Sequence, residues 1–232
     1  GQPYRKPLAR TREYVEIIRK VLAREEPLEF QGEFHQHPYR GEGSTGFGKP
    51  LKVITHPFRK EIPIFLGAEG PKNVAQTAEI ADGWLPLYYS PFRQEVYADQ
   101  LAAAKEGFEV AAMANISVCD NVADGLLPVK MMLGFYIGGM GAKGKNFHTD
   151  LMARMGFEEE AFRIQDLFFE GRRDEAVALV PDEFADEISL VGPIGRIRER
   201  LAAWRDSPVT TLLMYPSSPD QMRLIADVVN DG

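Results

Sequence analysis

Short apolar runs alternate with stretches of helical periodicity along much of this chain, and that alternation limits the fold more than any other feature. "IPIFLG" reads as a buried strand, Pro71 to Ala81 as a helix, "GWLPLYY" as a strand, Phe92 to Phe108 as a helix and "NISVCDNVA" as a strand. The rhythm then breaks. From Gly125 to about Glu187 the text is helical with no obvious strand, and it resumes with "GPIGRIRERLAAW", a helix opened by Pro193. "VTTLLMYP" is a further strand, followed by a last helix from about Pro219. Strands alternating with helices of about a dozen residues are βα units around a parallel sheet. Residues 125–187 are thus expected to be a helical insertion between one strand and the helix that would otherwise follow it.

Four strand centres emerge, at Ile62, Trp84, Ile116 and Thr211. Before them comes one amphipathic helix, about Leu8 to Arg24, with Leu8, Val15, Ile18 and Leu22 at helical spacing, and then a Gly-rich polar excursion with one small hairpin. Four parallel strands suit a small open sheet, whereas a (β/α)8 barrel needs eight strands and typically ~250 residues. The chain therefore reads as the second half of such a barrel, strands 5–8, within a single partial domain over residues 1–232.

The charge balance narrows the partners. Thirty-four acidic against 27 basic residues give a net charge of −7, with no basic stripe to neutralise phosphates, which argues against nucleic acid or an anionic membrane and for a small molecule. The single cysteine, Cys119, allows no internal disulfide, and no Cys/His set has zinc spacing, so a reducing cytoplasm and no metal are expected. No apolar run approaches the ~18 residues of a membrane helix, and "GQPYRKPLAR" has no leader pattern.

"FLGAEGPKN" (Phe65 to Asn73) puts two glycines and a proline between a strand and a helix. A plain turn needs about one residue able to take positive φ, while a backbone that approaches a ligand phosphate needs several small ones, with Pro71 opening a helix whose N–H groups face the ligand. A phosphate site and a tight connector both fit these residues.

"IPIFLGAEGPKNVAQTAEIADGWLPLYYSP", with "PLARTREYVEIIRKVL", "GFGKPLKV", "YIGGMGAKGKNF" and "VGPIGRIRERLAAW", resembles the bacterial luciferase-like superfamily, most closely its deazaflavin-dependent oxidoreductases. The similarity runs over nearly all of the chain. It implies a luciferase-like (β/α)8 TIM barrel, coenzyme F-420 (8-hydroxy-5-deazaflavin) as cofactor, hydride transfer to or from a small organic substrate, and a homodimer. It carries cofactor binding onto Gly67, Ala68, Glu69, Gly70 and Pro71, with Lys72 and Asn73 as helpers. The alternatives are an FMN-dependent monooxygenase of the same superfamily and a non-catalytic cofactor-binding remnant. Family members begin with four further strands and helices that hold several acid/base residues, so no catalytic residue is assigned.

Other motifs are less specific. "VGPIG" (Val191 to Gly195) is a second glycine-and-proline helix start and a rival phosphate dock. Tyr88 and Tyr89 are expected at the barrel mouth, as a substrate-pocket wall or as rim packing. Asp82 and Gly83 fall at the opposite face and read as structural. "GGMGAKGKN" (Gly138 to Asn146) lacks Walker spacing and reads as a mobile flap or a plain interhelical loop. His35, His37 and His148 have no partner at a telling spacing and read as solvated, Cys119 as mid-strand, and Met152 and Met155 as packing.

Overall fold

The computed structural model describes residues 5–216 and 218–230. Helix α1 (Pro7–Ala23) leads, as its apolar spacing requires, and buries Val15. The excursion after it contains a two-residue antiparallel ladder, β1 (Phe30–Gln31) with β2 (Gln36–His37). Glu13 of α1 holds its turn, accepting the backbone N–H groups of Glu33, Phe34 and His35. His35, expected to be solvated, is half-buried with Nδ1 3.0 Å from the same carboxylate.

Five parallel strands follow: β3 (Phe65–Gly67), β4 (Gly83–Leu85), β5 (Glu109–Val118), β6 (Ser189–Gly192) and β7 (Thr211–Met214). β3 pairs with β4, with Leu66 opposite Trp84. β4 pairs with the start of β5, β7 with its middle (Ala112 opposite Leu212) and β6 with its end (Ile116 opposite Leu190). The helices between them are α2 (Pro71–Ile80) and α3 (Glu95–Leu101), a run of five between β5 and β6, then α9 (Ile194–Arg205) and α10 (Pro219–Asn230). That run is α4 (Val122–Gly139), α5 (Phe147–Arg154), α6 (Glu158–Phe169), α7 (Arg173–Leu179) and α8 (Asp182–Glu187).

The alternation is as expected, with five corrections, the first being that the helix expected over Phe92 to Phe108 is only the seven-residue α3, since the chain turns at residues 104–107 before β5. Ile62 is exposed ahead of β3, so it centres no strand. β5 begins at Glu109 and not at Asn115, because Gly107 takes positive φ and turns the chain before the Ala-rich "EVAAMA", whose helical propensity gives way to strand neighbours. Cys119 accordingly lies just past that strand. β6 is a fifth parallel strand, four residues long and wholly buried, too short to stand out between α8 and Pro193.

The helical run starts at Val122, three residues ahead of the expected boundary, because Asn121 Oδ1 caps α4 by accepting the Ala123 N–H. The glycines that open "GGMGAKGKN" have a packing cause. Gly138 and Gly139 close α4, and a Cβ on either would meet the Phe168 ring of α6, so glycine here lets two helices touch. Asn146 caps α5 through the His148 N–H and donates to the Tyr136 and Ile137 carbonyls, and Gln165 accepts the Gly144 N–H. These bonds anchor the loop at Gly144 and Asn146, while residues 142–145 are exposed. Met152 and Met155 are buried packing, as expected.

Asp82 and Gly83 are structural. A Cβ on Gly83 would run into the Phe65 ring, and the Asp82 carboxylate accepts Ile64 N–H and Arg19 at 2.9 Å each, together with Lys105. Burial alone would raise the Asp82 pKa, but the Lys105 bond, the Ile64 N–H and the Arg19 charge together hold it below the ordinary value. Among the described residues no helix is long and apolar enough to cross a membrane.

Asp82→Asn should cost about 1–3 kcal/mol at pH 7, since it leaves partly buried donors unmatched. A folded-state pKa below the unfolded one stabilises above ~3.9 and is lost as pH falls through the folded value. Urea midpoints at pH 7 and pH 2.5 should therefore differ less in the variant than in the wild type; an equal difference would remove Asp82 from this role.

Candidate cofactor site

The loop between β3 and α2 is held from behind. Trp84, fully buried in β4, donates its Nε1–H to the Ala68 carbonyl at 2.8 Å, and Arg154 of α5 donates to the Glu69 carbonyl at 2.8 Å. In a trans peptide the next N–H points opposite the carbonyl. The N–H groups of Glu69 and Gly70 are therefore aimed away from Trp84 and Arg154. Gly70 is the N-cap of α2, its carbonyl accepting from Asn73 and Val74, and neither a side-chain cap nor an acidic residue stands in the first turn. The partial positive charge of that helix end is left for something else.

The glycines here have no local cause. Gly70 has φ −67° and ψ 140°, open to any residue, and a Cβ on it would come only within 4.0 Å of Phe147. A Cβ on Gly67 would stand 3.9 Å from the Leu85 carbonyl oxygen. A cleft of about 650 Å³ opens in front, between the first turns of α1 (Pro7, Leu8, Thr11) and α2 (Gly70, Pro71, Lys72, Asn73), with Phe147 at its side. Lys72 is exposed, while Ala68 is buried.

The rival loop is built differently. Gly192 has φ +126°, a conformation side chains rarely adopt, and a Cβ there would crowd Arg196 and Val122 at 3.0 and 3.1 Å. Its preceding carbonyl, on Val191, is taken by Arg196 at 2.6 Å. Gly192 thus has a structural cause, whereas Gly195 has nothing within 4 Å of its Cβ position.

Tyr88 and Tyr89 follow β4 but part company. Tyr89 is fully buried, stacked on Tyr97 at 5.7 Å and set edge-on to Trp84. Tyr88 has φ +58°, an unusual backbone for an aromatic residue, and its ring meets Tyr136 and His148, each at 5.7 Å. Its hydroxyl is buried without a hydrogen bond, and burial first, then Tyr136 and Glu69, pushes its pKa well up.

His148, expected to be solvated, is instead largely buried against Glu69, a partner too far along the chain to be read from the sequence. Its Nδ1 lies 2.9 Å from Glu69 Oε2, an ion-pair distance without hydrogen-bond alignment, so neither atom has a hydrogen bond of its own. The two side chains keep only 16% and 13% of their surface. Glu69, His148, Tyr88 and Tyr136 thus form one polar cluster behind the loop. No group of three metal-capable side chains occurs among the described residues.

The luciferase-like monooxygenase family matches residues 1–211. The chain belongs to that family. A Mycobacterium tuberculosis protein, Rv3520c, provisionally named a coenzyme F420-dependent oxidoreductase, is 44% identical over 99% of this chain and 69% of its own length. The 5,10-methylenetetrahydromethanopterin reductase of Archaeoglobus fulgidus is 27% identical over 97% of this chain and 65% of its own. A solved structure, the coenzyme F420-dependent tetrahydromethanopterin reductase of Methanopyrus kandleri, superposes with a TM-score of 0.70 at 21% identity, covering 96% of this chain and 61% of that one. The chain thus spans about two thirds of these relatives. The luciferase-like family is one of (β/α)8 barrels, and the five parallel strands are this chain's part of it.

If the two loops differ in this way, stability should report it. Gly70→Ala should leave the urea midpoint unchanged or raise stability by about 0.4–1 kcal/mol, while Gly192→Ala should lower it by more than about 1 kcal/mol. A loss at Gly70 as large as that at Gly192 would make Gly67 to Pro71 an ordinary built turn.

Proposed function

We propose that this chain is part of a coenzyme F-420-dependent oxidoreductase that transfers a hydride between the deazaflavin and a small organic substrate. The observation that carries the proposal is the Gly67–Pro71 loop: N–H groups on Glu69 and Gly70 turned away from Trp84 and Arg154, an uncapped α2, and two glycines whose only evident use is to leave room. The names of the relatives supply the cofactor class, and they favour coenzyme F-420 over FMN. When bound, coenzyme F-420 supplies hydride exchange and, with carbon in place of N5, does not readily form an oxygen adduct.

The residues of this chain have binding and orienting work in that reading. The Glu69 and Gly70 N–H groups, with the α2 dipole behind them, hold the cofactor phosphate, and Lys72 adds positive charge at the rim. Phe147 excludes water from one side of the cleft. Trp84 and Arg154 fix the loop through its carbonyls, so the donors need no reorganisation on binding. Tyr88 and Tyr89, both buried and outside the cleft, support the site from the core in this reading instead of walling a substrate pocket. The helices α4 to α8 form its cover. A homodimer belongs to the same proposal, and light scattering on the intact protein reads it.

Fluorescence titration of the intact protein with coenzyme F-420 and then FMN is the test, with oxygen uptake followed alongside. The expected result is saturable binding of the deazaflavin, weaker binding of FMN and no oxygen uptake. Gly70→Val should weaken deazaflavin binding ten- to a hundredfold for each charge-assisted bond lost, at ~1.5–3 kcal/mol apiece. At the rival loop the fair comparison is Gly195→Val, because Gly195 has open space around it whereas Gly192 does not. Should Gly195→Val abolish binding with Gly70→Val near wild type, the phosphate belongs on the later loop; FMN binding with oxygen uptake would make the protein a monooxygenase.

A further inference from the structure

The anion dock contains its own competitor. Glu69 immediately precedes the N-cap of α2, and its own N–H is one of the two donors turned away from Trp84 and Arg154, so its carboxylate is the negative group tethered nearest to the positive end of that helix. A carboxylate released there would cap the helix from within the chain, at the high effective concentration of a tethered group, and would repel an incoming phosphate. In the structure it is turned away from that position. Glu69 Oε2 lies 2.9 Å from His148 Nδ1, and the pair is boxed in by the rings of Tyr88 and Tyr136, which stand 5.7 and 5.1 Å from the imidazole.

His148 is itself held firmly. Its N–H donates to Asn146 Oδ1, Asn146 is tied to the Tyr136 and Ile137 carbonyls, and the next residue, Thr149, donates to the Ile137 carbonyl at 2.7 Å. Arg154, on the same helix, grips the backbone of Glu69 at its carbonyl. Helix α5 therefore holds Glu69 at two points, main chain and side chain. α6, which also packs on α5, directs Gln165 to Thr149 and pairs Asp166 with Lys143, so neither competes for the imidazole.

We propose that His148 is a positioning residue of the cofactor site: it holds the Glu69 carboxylate behind the loop and so keeps the Glu69 and Gly70 N–H groups free for the phosphate. The role rests on the reading of Gly67 to Pro71 as the phosphate dock. It differs from ligand contact in one respect, since the loss of His148 harms binding only through Glu69. Removing the carboxylate as well must restore what removing the imidazole took away.

The experiment is a double-mutant cycle on the intact protein, with coenzyme F-420 as the probe in fluorescence titration and near-UV circular dichroism as the check on folding. His148→Gln should weaken binding about tenfold, the scale of one charge at a helix N-terminus. Glu69→Gln alone should bind as the wild type or a few-fold tighter, and the double variant should bind as Glu69→Gln does. His148→Asn stands in if the Gln variant does not fold. A His148→Gln affinity equal to wild type overturns the proposal, and so does a tenfold loss that persists in the double variant, which would be the mark of direct ligand contact or of a general packing role. Gly70→Val measured in parallel separates the two levels: if it too binds normally, the dock itself is misplaced, whereas a loss there with an unchanged His148→Gln sinks only the positioning role.

Discussion

β4, β6 and β7 all pair with one strand, the ten-residue β5, at its beginning, end and middle respectively. At about 3.3 Å per residue that strand runs roughly 33 Å, long enough to serve three short neighbours in turn. The consequence is directional. All five strands are parallel, so the loops after β3 and β4 emerge at the same end of the sheet. Gly67 to Pro71 and Tyr88 are brought together by sheet polarity before any side chain takes part. Small residues at Ala111, Ala112 and Ala114 suit a strand pressed on by so many elements, and all three are buried.

The helical run between β5 and β6 must then be fastened to that end, and Arg93 does most of this. Its guanidinium pairs with both oxygens of Glu187 at the close of α8, donates to the Met155 carbonyl at 2.7 Å and lies 4.4 Å from the Phe157 ring centre. Ser90 supplies a further bond to Glu187. A two-toothed arginine–carboxylate contact fixes orientation as well as distance, which point charges do not. With the run tied at the close of α8 and just after α5, α5 is set against the β3–α2 loop, and Arg154 and His148 reach Glu69. The candidate site is thus assembled across elements far apart in sequence.

This separates what the sequence could reveal from what it could not. Periodicity is local, so α1, α2, α9 and α10 were legible nearly to the residue, while the strands around Trp84 and Thr211 were located but drawn too long, the first ending at Leu85 and not Tyr89. The Gly67–Pro71 loop was legible because its chemistry is written in consecutive residues. β6 was not, since four buried residues between two helices carry no period of their own. The start of β5 was misplaced because Glu109 to Ala114 favours a helix in isolation and becomes a strand only through its neighbours. His148 was out of reach for another reason: a histidine acquires a role from the carboxylate it meets in space, and nothing near it in sequence announces Glu69. The glycines of "GGMGAKGKN" suggested mobility, whereas two of them are there to let Phe168 in.

Those packing glycines sharpen the argument about the loop. Glycine is retained for three physical reasons: a backbone angle that other residues avoid, a protein neighbour too close for a Cβ, or a ligand too close for one. Gly192 satisfies the first, with crowding added, and Gly83, Gly125, Gly134, Gly138 and Gly139 satisfy the second, each with a side chain of this chain where the Cβ would go. Gly70 satisfies neither, although it stands at the head of a helix with no cap of its own. Gly67 shares that open space at the end of β3. Gly195, with nothing near its Cβ position at the head of the equally uncapped α9, passes the same test, so what sets this loop apart is the cleft at Gly70 and the donors turned away from Trp84 and Arg154.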